Sequence, residues 1–453
     1  MTGLARVALC VMVIGGGGSA CQSQAARVQP AEPKPAATGI PPSSVATANS
    51  EDAPARPLRR CFPDQPNWSD APVSDLLDQA GTFFDGDDFA GALACAEEAA
   101  RAAPRSIEAH HDRAAALLRL GRLDEARDAL TLAISLDPDD PETLEASADL
   151  YINQLPPSAD RSAIGLEHAR RGFRRASGHD RARAARLALL EGQALIDLGH
   201  SEQAVKRLDV TLALAPRSVA ARYEKGVAEF ELCRFADAQR TFQKVLQVAS
   251  DHAHALYHLG LIAEREGNLA AADKYFVEAS RRDPASFPPP PELSAADFSE
   301  RVLKVVAELP PEARADLGGS HLETADLPGA EDLVAEKPPL SPTILGLFRG
   351  LPLTWSGEAD GMGRPQTRRA ANKGRRPSGP SGGPPVGANA DLKDDGARAC
   401  PSADRTIVLY RRNLLRSIRN LRELDEAIRR TLLHEIGHLR GEDDGSLRDR
   451  GLE

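Results

Sequence analysis

The stretch GQALIDLGHSEQAVKRLDVTLALAP, residues Gly192–Pro216, decides the fold of the middle of this chain. The stretch GVAEFELCRFADAQRTFQKVLQVAS at Gly226–Ser250 repeats its glycine and several of its alanine and apolar positions 34 residues later. Small residues at fixed positions let two helices pack closely, and Pro216 ends the second helix because proline lacks an amide hydrogen. The period therefore predicts a row of stacked helix pairs.

The same 34-residue step extends over residues 73–286. Gly260 continues the glycine series after Gly226, and Ala80 and Ala114 keep the spacing upstream. The pattern resembles the tetratricopeptide repeat (TPR), which has small residues in both helices and a proline near the end of the unit. The resemblance implies about six repeats in an α-solenoid whose concave groove binds protein or peptide partners. In the alternative interpretation, the repeats are only a spacer or a support for a neighbouring domain.

Composition sets the broad class of the protein. The 453 residues are 42% hydrophobic and 27% charged, which fits folded domains and excludes a wholly disordered chain. Only 4% are aromatic and six are cysteine, which argues against an aromatic-rich β-barrel and against a disulfide scaffold. The formal net charge is -10, so we expect no nucleic-acid partner. The expected fold class is mainly α.

The first 20 residues have the pattern of a signal peptide. Arg6 precedes an apolar run that ends in the small residues before Cys21, and this segment is too short for a stable membrane span. The ending resembles the lipoprotein box of bacteria, which implies that Cys21 is lipidated and that residues 21–57 form a disordered tether. Gln22 favours the outer membrane of a cell envelope over the inner one. The alternative is ordinary signal cleavage, with Cys21 left as a spare thiol.

Four further cysteines bear on packing and redox state. Cys95 and Cys233 fall on predicted repeat helices, where each is interpreted as a small buried apolar residue. Cys61 and Cys400 fall in predicted loops, and a disulfide between these two is one alternative after export. The spacing of the cysteines alone does not fix their pairing.

A second domain is expected at residues 294–453. The run Pro288–Pro291 marks the end of the repeat array. The segment Leu345–Leu353 is interpreted as an apolar turn. Residues 355–402 are rich in glycine, proline and arginine and are expected to be a disordered insertion. Its basic part, residues 361–390, is interpreted as a solvated loop, and contact with anionic lipid or glycan is the alternative.

The chemistry of this domain lies in one predicted helix, Glu423–Leu439, which follows a predicted strand at Thr406–Tyr410. The helix contains the motif HEIGH at His434–His438. Histidines at positions i and i+4 share one helix face, where both imidazoles can bind a single zinc ion. Zinc lowers the pKa of a bound water, and the glutamate between the histidines can then take the proton.

The residues after the motif, LRGEDD, add a turn and a third ligand. Gly441 lets the chain leave the helix, and the third ligand is Asp444 or, as second candidate, Asp443. The region resembles the small zincin-like metallopeptidases of bacteria, with a strand like IVLYRRNLL and a helix ending like TLLHEIGHLRGEDD. That family has a compact α+β domain. The resemblance implies a zinc site at His434, His438 and Asp444, with Glu435 as the catalytic base.

The same resemblance has consequences for substrate binding. It implies that Thr406–Tyr410 is an edge strand beside which a peptide substrate lies. Tyr410 itself has two interpretations, a group that steadies the oxyanion or a tyrosine of the core or strand edge.

Together these patterns predict an envelope-tethered, zinc-dependent metallopeptidase that hydrolyses peptide bonds. The repeat array would recruit protein or peptide partners, and the lipid on Cys21 would bind the membrane. The alternative is an adaptor lipoprotein of the same architecture with a structural or inactive zinc site. An open coordination position for water distinguishes a catalytic zinc from a structural one.

Overall fold

A computed structural model describes Cys61, residues 72–353 and residues 405–452 of the chain. The predicted signal segment 1–20, the tether with Cys21 and the predicted insertion 355–402 lie outside these residues. Within the described part of the chain, no helix combines the length and the apolarity needed to cross a bilayer. The described residues divide into two compact units, one with Cys61, 72–289 and 337–341, the other with 290–336, 342–353 and 405–452.

The first unit is a series of helix pairs. The two helices of each pair pack against each other, and successive pairs stack. This arrangement confirms the predicted α-solenoid. The pairs are α1 (Val73–Asp85) with α2 (Phe89–Ala102), α3 (Ile107–Arg119) with α4 (Leu123–Leu136), α5 (Pro141–Asp149) with α6 (Ala159–Ala176), α7 (Arg181–Asp197) with α8 (Ser201–Leu214), α9 (Val219–Glu231) with α10 (Phe235–Val248), and α11 (Ala253–Arg265) with α12 (Leu269–Arg282).

The two helices of a pair pack closely at glycine residues, which have no side chain. A Cβ atom on Gly226 would lie 2.6 Å from the ring of Phe242, and one on Gly192 would lie 2.7 Å from the side chain of Leu208. Such separations are shorter than any real carbon contact, so only glycine lets these helices approach this closely. The recurring glycine therefore sets the spacing within the pairs α7–α8, α9–α10 and α11–α12.

The cysteines of this unit differ from expectation. Cys61 forms a disulfide with Cys95, so Cys95 is not simply a small apolar residue and Cys61 does not pair with Cys400, which lies outside the described residues. The pairing joins two residues 34 positions apart and links Cys61 to α2. Cys233 lies in the turn after α9, with φ at 57°, rather than on a helix.

We expect the substitution Cys95→Ser to lower the free energy of unfolding of the array by about 2–4 kcal/mol, because the bond restricts the unfolded chain. Urea titration under oxidising conditions measures the change. Cys233→Ser is the matched control, since Cys233 is a free thiol, and should change stability by less than about 1 kcal/mol. Intact-mass analysis of the oxidised wild type that finds Cys61 and Cys95 reduced contradicts the assignment.

Two histidines of α11, His254 and His258, are enclosed by aromatic rings. The His258 ring stacks on Phe242 with centroids 4.9 Å apart, and its Nδ1 donates to the carbonyl of His254 at 2.8 Å. The His254 ring meets Phe287 edge-on at 4.7 Å. Burial lowers the pKa of each imidazole from 6.5 to about 4. Both side chains are therefore neutral in the folded protein at pH 7.

The array should lose stability as the pH falls from about 6.5 towards 4. In this window the unfolded chain binds protons at His254 and His258 and the folded chain does not, so protonation favours unfolding. Each imidazole contributes up to about 1.4 kcal/mol per pH unit. Urea titrations at a series of pH values measure this slope. The His258→Asn variant should show a shallower slope, and an unchanged slope argues against the prediction.

The second unit combines short helices with a three-stranded sheet. The elements are α13 (Ala295–Ala307), α14 (Pro311–Leu317), β1 (His321–Ala325), α15 (Ala330–Val334), β2 (Gly346–Arg349), β3 (Thr406–Tyr410), α16 (Arg411–Ser417), α17 (Leu424–Arg440) and α18 (Asp444–Asp449). Helix α17 contacts α13, α14, α16, β2 and β3.

Strand β3 is the central strand of this sheet. The order is β1-β3-β2, with β1 parallel and β2 antiparallel to β3. The expectation that Thr406–Tyr410 is an edge strand is therefore wrong. All five of its residues are buried, as a strand covered on both faces requires. The segment Leu345–Leu353 is also not simply a turn, because Gly346–Arg349 pairs with β3 as an edge strand.

Candidate metal centre

Helix α17 places His434 and His438 on the same face, one turn apart. Their Nε2 atoms lie 2.8 Å from each other, and both side chains are almost completely buried. The neighbouring Ile436 and Leu439 lie in the core of the unit and fix the rotation of the helix about its axis. The amphipathic pattern of the helix thus directs both imidazoles to one point.

The second nitrogen of each ring is held by the backbone. Nδ1 of His434 donates to the carbonyl of Leu452 at 2.6 Å, and Nδ1 of His438 donates to the carbonyl of Glu442 at 2.9 Å. These bonds place the proton on Nδ1 and leave the lone pair of Nε2 directed at the other ring. Burial lowers the pKa of His434 to about 3 and also lowers the pKa of His438, so both rings are uncharged.

Asp444 completes the cluster. Helix α17 ends at Arg440, the following Gly441 has a φ of 90° that lets the chain reverse, and Asp444 then begins α18. Its Oδ1 lies 3.5 Å from Nε2 of His438 and 3.8 Å from Nε2 of His434. The carboxylate of Asp443 instead accepts a hydrogen bond from the backbone of Ser446, as the cap of α18. The structure therefore brings Asp444, the first of the two candidates, to the histidines.

Glu435 lies on the side of α17 that faces strand β2. Its side chain is completely buried, and burial raises the pKa of its carboxyl well above the usual value, with a further contribution from Asp444. A Cβ atom on Gly346 would lie 3.0 Å from its Oε1. The absence of a side chain at Gly346 thus gives the carboxylate its room beside the sheet.

Tyr410 ends strand β3 within the interior of this unit. Its side chain is 1% exposed, and burial raises the pKa of the phenol, with Asp332 and Arg349 close by. Two groups at the site were not identified from the sequence, the carbonyls of Glu442 and Leu452. Every residue has a backbone carbonyl, so the sequence does not indicate which of them accept these bonds. Gly441 indicated only that the chain turns back after the helix.

Both the repeat array and the C-terminal domain match known protein families. Residues 385–452 match the model of the zincin-like metallopeptidases. Residues 77–141, 189–238 and 229–287 match the model of the tetratricopeptide repeat. The chain therefore carries a tetratricopeptide-repeat array and a zincin-like metallopeptidase domain at its C-terminus.

Similar proteins cover parts of the chain. Cellulose synthase operon protein C of Komagataeibacter xylinus is 38% identical over 61 residues, 14% of this chain and 5% of that protein. The protein of the same name from Komagataeibacter sucrofermentans is 36% identical over 61 residues. The chain thus spans 5% of the length of these curated relatives.

Two solved structures are similar to part of the chain. YrrB, a TPR protein with an unusual peptide-binding site, is 17% identical with a TM-score of 0.34, and the match covers 42% of this chain and 92% of YrrB. PilW, a widely conserved type IV pilus biogenesis factor, is 22% identical with a TM-score of 0.41, and the match covers 47% of this chain and 94% of PilW.

The substitution Gly437→Ala should destabilise the second unit by about 1–3 kcal/mol, because a Cβ there would lie 2.3 Å from the side chain of Leu447 and push α18 away. Gly445→Ala is the matched control, since its Cβ would meet only ordinary contacts and alanine favours a helix. Urea titration and hydrogen exchange of α18 measure both effects. Equal stability of the two variants contradicts the expected clash.

Proposed function

We propose that this chain is a zinc-dependent metallopeptidase. The observation that carries the proposal is the convergence of three buried or half-buried donor atoms, Nε2 of His434, Nε2 of His438 and Oδ1 of Asp444, within 4.8 Å of one another. The match to the zincin-like metallopeptidases supports the same function. Within the described residues this is the group of side chains suited to a metal ion.

The donor set fits zinc. Two imidazole nitrogens and one carboxylate oxygen are typical ligands of a catalytic zinc, which keeps a fourth position open. Tetrahedral bonds of ordinary length place ligand atoms about 3.3 Å apart, close to the separations of 2.8, 3.5 and 3.8 Å between these atoms. His434, His438 and Asp444 would hold the ion. When bound, zinc acidifies a water molecule and polarises the scissile carbonyl group.

Glu435 would transfer the proton in the hydrolysis. A cation held by His434, His438 and Asp444 would favour the ionised form of Glu435 against the effect of burial. Its carboxylate would then accept a proton from water as the water oxygen bonds to the carbonyl carbon of the scissile peptide. It then delivers that proton to the peptide nitrogen as the carbon–nitrogen bond breaks, so the carboxylate is regenerated.

The peptide substrate would lie along strand β2. Strand β2 is an edge strand of the described sheet that packs against α17, and Gly346 of this strand lies against Glu435. An extended peptide can add to such an edge through backbone hydrogen bonds. This assignment replaces the edge-strand role first expected for Thr406–Tyr410.

We also propose that the array recruits protein or peptide partners and that the mature protein is attached to the cell envelope through Cys21. The stacked helix pairs form the type of extended surface that repeat proteins use for binding. The disulfide between Cys61 and Cys95 supports an oxidising compartment outside the cytoplasm. The charge balance gives no support for a nucleic-acid partner.

Metal content tests the first step of the proposal. We expect one zinc ion per wild-type chain, measured by elemental analysis after dialysis. The His434→Ala variant should lose that zinc, because the two remaining ligands do not hold the ion firmly. His258→Asn, in the histidine pair of α11 with the same spacing, should keep the zinc. Wild-type protein without zinc after reconstitution contradicts the proposal.

Glu435→Gln tests the catalytic step. This variant should keep its zinc and lose peptidase activity by a hundredfold to ten-thousandfold, in the usual range of about 10²–10⁴ for removal of a general base. Cleavage of a peptide library by the wild type, followed by mass spectrometry, measures the activity. A chain that binds zinc yet cleaves no peptide would be the adaptor with a structural or inactive site.

A further inference from the structure

Glu442 and Arg450 form an ion pair across the two ends of helix α18. Nη1 of Arg450 lies 2.7 Å from Oε1 and 2.5 Å from Oε2 of Glu442. Glu442 precedes the helix by two residues, and Arg450 is its C-terminal cap. The pair therefore closes a short loop that consists of α18 and its two flanking turns.

Each end of this closed loop touches one of the histidines. The backbone carbonyl of Glu442 accepts the hydrogen bond from His438, and the carbonyl of Leu452, two residues beyond Arg450, accepts the one from His434. Asp444 lies between these two ends, at the start of α18. The loop thus supplies the third donor and both backbone acceptors of the candidate metal centre.

We propose that Arg450 is a positioning residue of the metal centre. Through its ion pair with Glu442 it holds the two carbonyls at a fixed separation, and so orients both imidazoles and Asp444 together. This inference depends on the proposed zinc site. The guanidinium group bonds to the carboxylate of Glu442 and is not one of the donor atoms, so it acts through the loop alone.

The ion pair is well placed to affect the metal centre more than the fold. The side chains of Arg450 and Glu442 are 46% and 24% exposed, and exposed pairs of this kind add only about 0–1 kcal/mol to folding stability. Leu447 anchors α18 to the core independently, against Gly437. Removal of the ion pair should leave α18 attached while its ends, which carry the acceptors of the imidazoles, become less fixed.

The test measures metal affinity in the full-length chain. Loss of groups that orient metal ligands typically weakens binding by about 10–100-fold, and for Arg450→Ala we expect about tenfold weaker zinc binding in competition with a chromophoric chelator. The visible spectrum of the cobalt-substituted protein should change as well, since it reports ligand geometry. Thermal unfolding of the metal-free protein should stay the same.

Arg429→Ala is the matched control. Arg429 forms a comparable exposed ion pair with Glu308 at 3.0 Å, in the same unit and on the same helix as the histidines. This variant should keep wild-type zinc affinity and the wild-type cobalt spectrum. An equal loss of affinity in Arg429→Ala and Arg450→Ala overturns the proposal, because the effect would then be general destabilisation.

The charge-reversed double variant, Glu442→Arg with Arg450→Glu, provides the second test. It restores the attraction with the partners exchanged, so it should recover most of the affinity that Arg450→Ala loses. Wild-type affinity in Arg450→Ala, or no recovery in the double variant, overturns the positioning role. Absence of zinc from the wild type itself would instead refute the metal centre, so the two failures are distinguishable.

Discussion

Close approach at residues without a side chain is the constraint on which both units of this protein depend. In the array, Gly226 admits the ring of Phe242 between paired helices. In the second unit, Gly437 admits Leu447 and so attaches α18 to α17, and Gly346 leaves space for the carboxylate of Glu435 beside β2. A Cβ atom at any of these places would meet another side chain at 3.0 Å or less. The same physical device therefore builds the solenoid and brings the third donor to the two histidines.

The constraint explains which parts of the fold could be predicted. Repeat contacts form mainly between neighbouring helices and recur along the array, so the series Gly192, Gly226 and Gly260 pointed to the solenoid. The sheet is not local: β3 lies between strands that come about sixty and eighty residues earlier in the chain. The sequence of β3 shows only that this strand is apolar. An apolar strand suits the centre of a sheet better than an edge with one exposed side. The pairing of Cys61 with Cys95 could not be predicted for a different reason, because the spacing of cysteines alone does not fix which two form a bond.

The candidate site also has parts that the sequence predicted and parts that it did not. The spacing of His434 and His438 follows from the geometry of one helical turn and could be read directly. The position of Asp444 could be anticipated because Gly441, in the left-handed conformation, forces the chain out of the helix at a known point. The carbonyls of Glu442 and Leu452 could not, because every residue has one and only the folded chain selects which of them meets an imidazole.

A comparison within the chain shows what those carbonyls contribute. His254 and His258 have the same spacing on a helix as His434 and His438, and burial lowers the pKa of all four imidazoles. In the array, however, Nδ1 of His258 bonds to the carbonyl of His254 on its own helix, and its ring stacks on Phe242.

In the second unit the acceptors come from outside α17, at Glu442 and Leu452, and the two Nε2 atoms converge to 2.8 Å. Identical spacing thus gives an aromatic core in one place and a cluster of metal-type donors in the other. The two pairs differ in the origin of the acceptor at Nδ1. For His258 the acceptor is a carbonyl one turn earlier on the same helix, whereas for His434 and His438 the acceptors belong to the loop that carries Asp444.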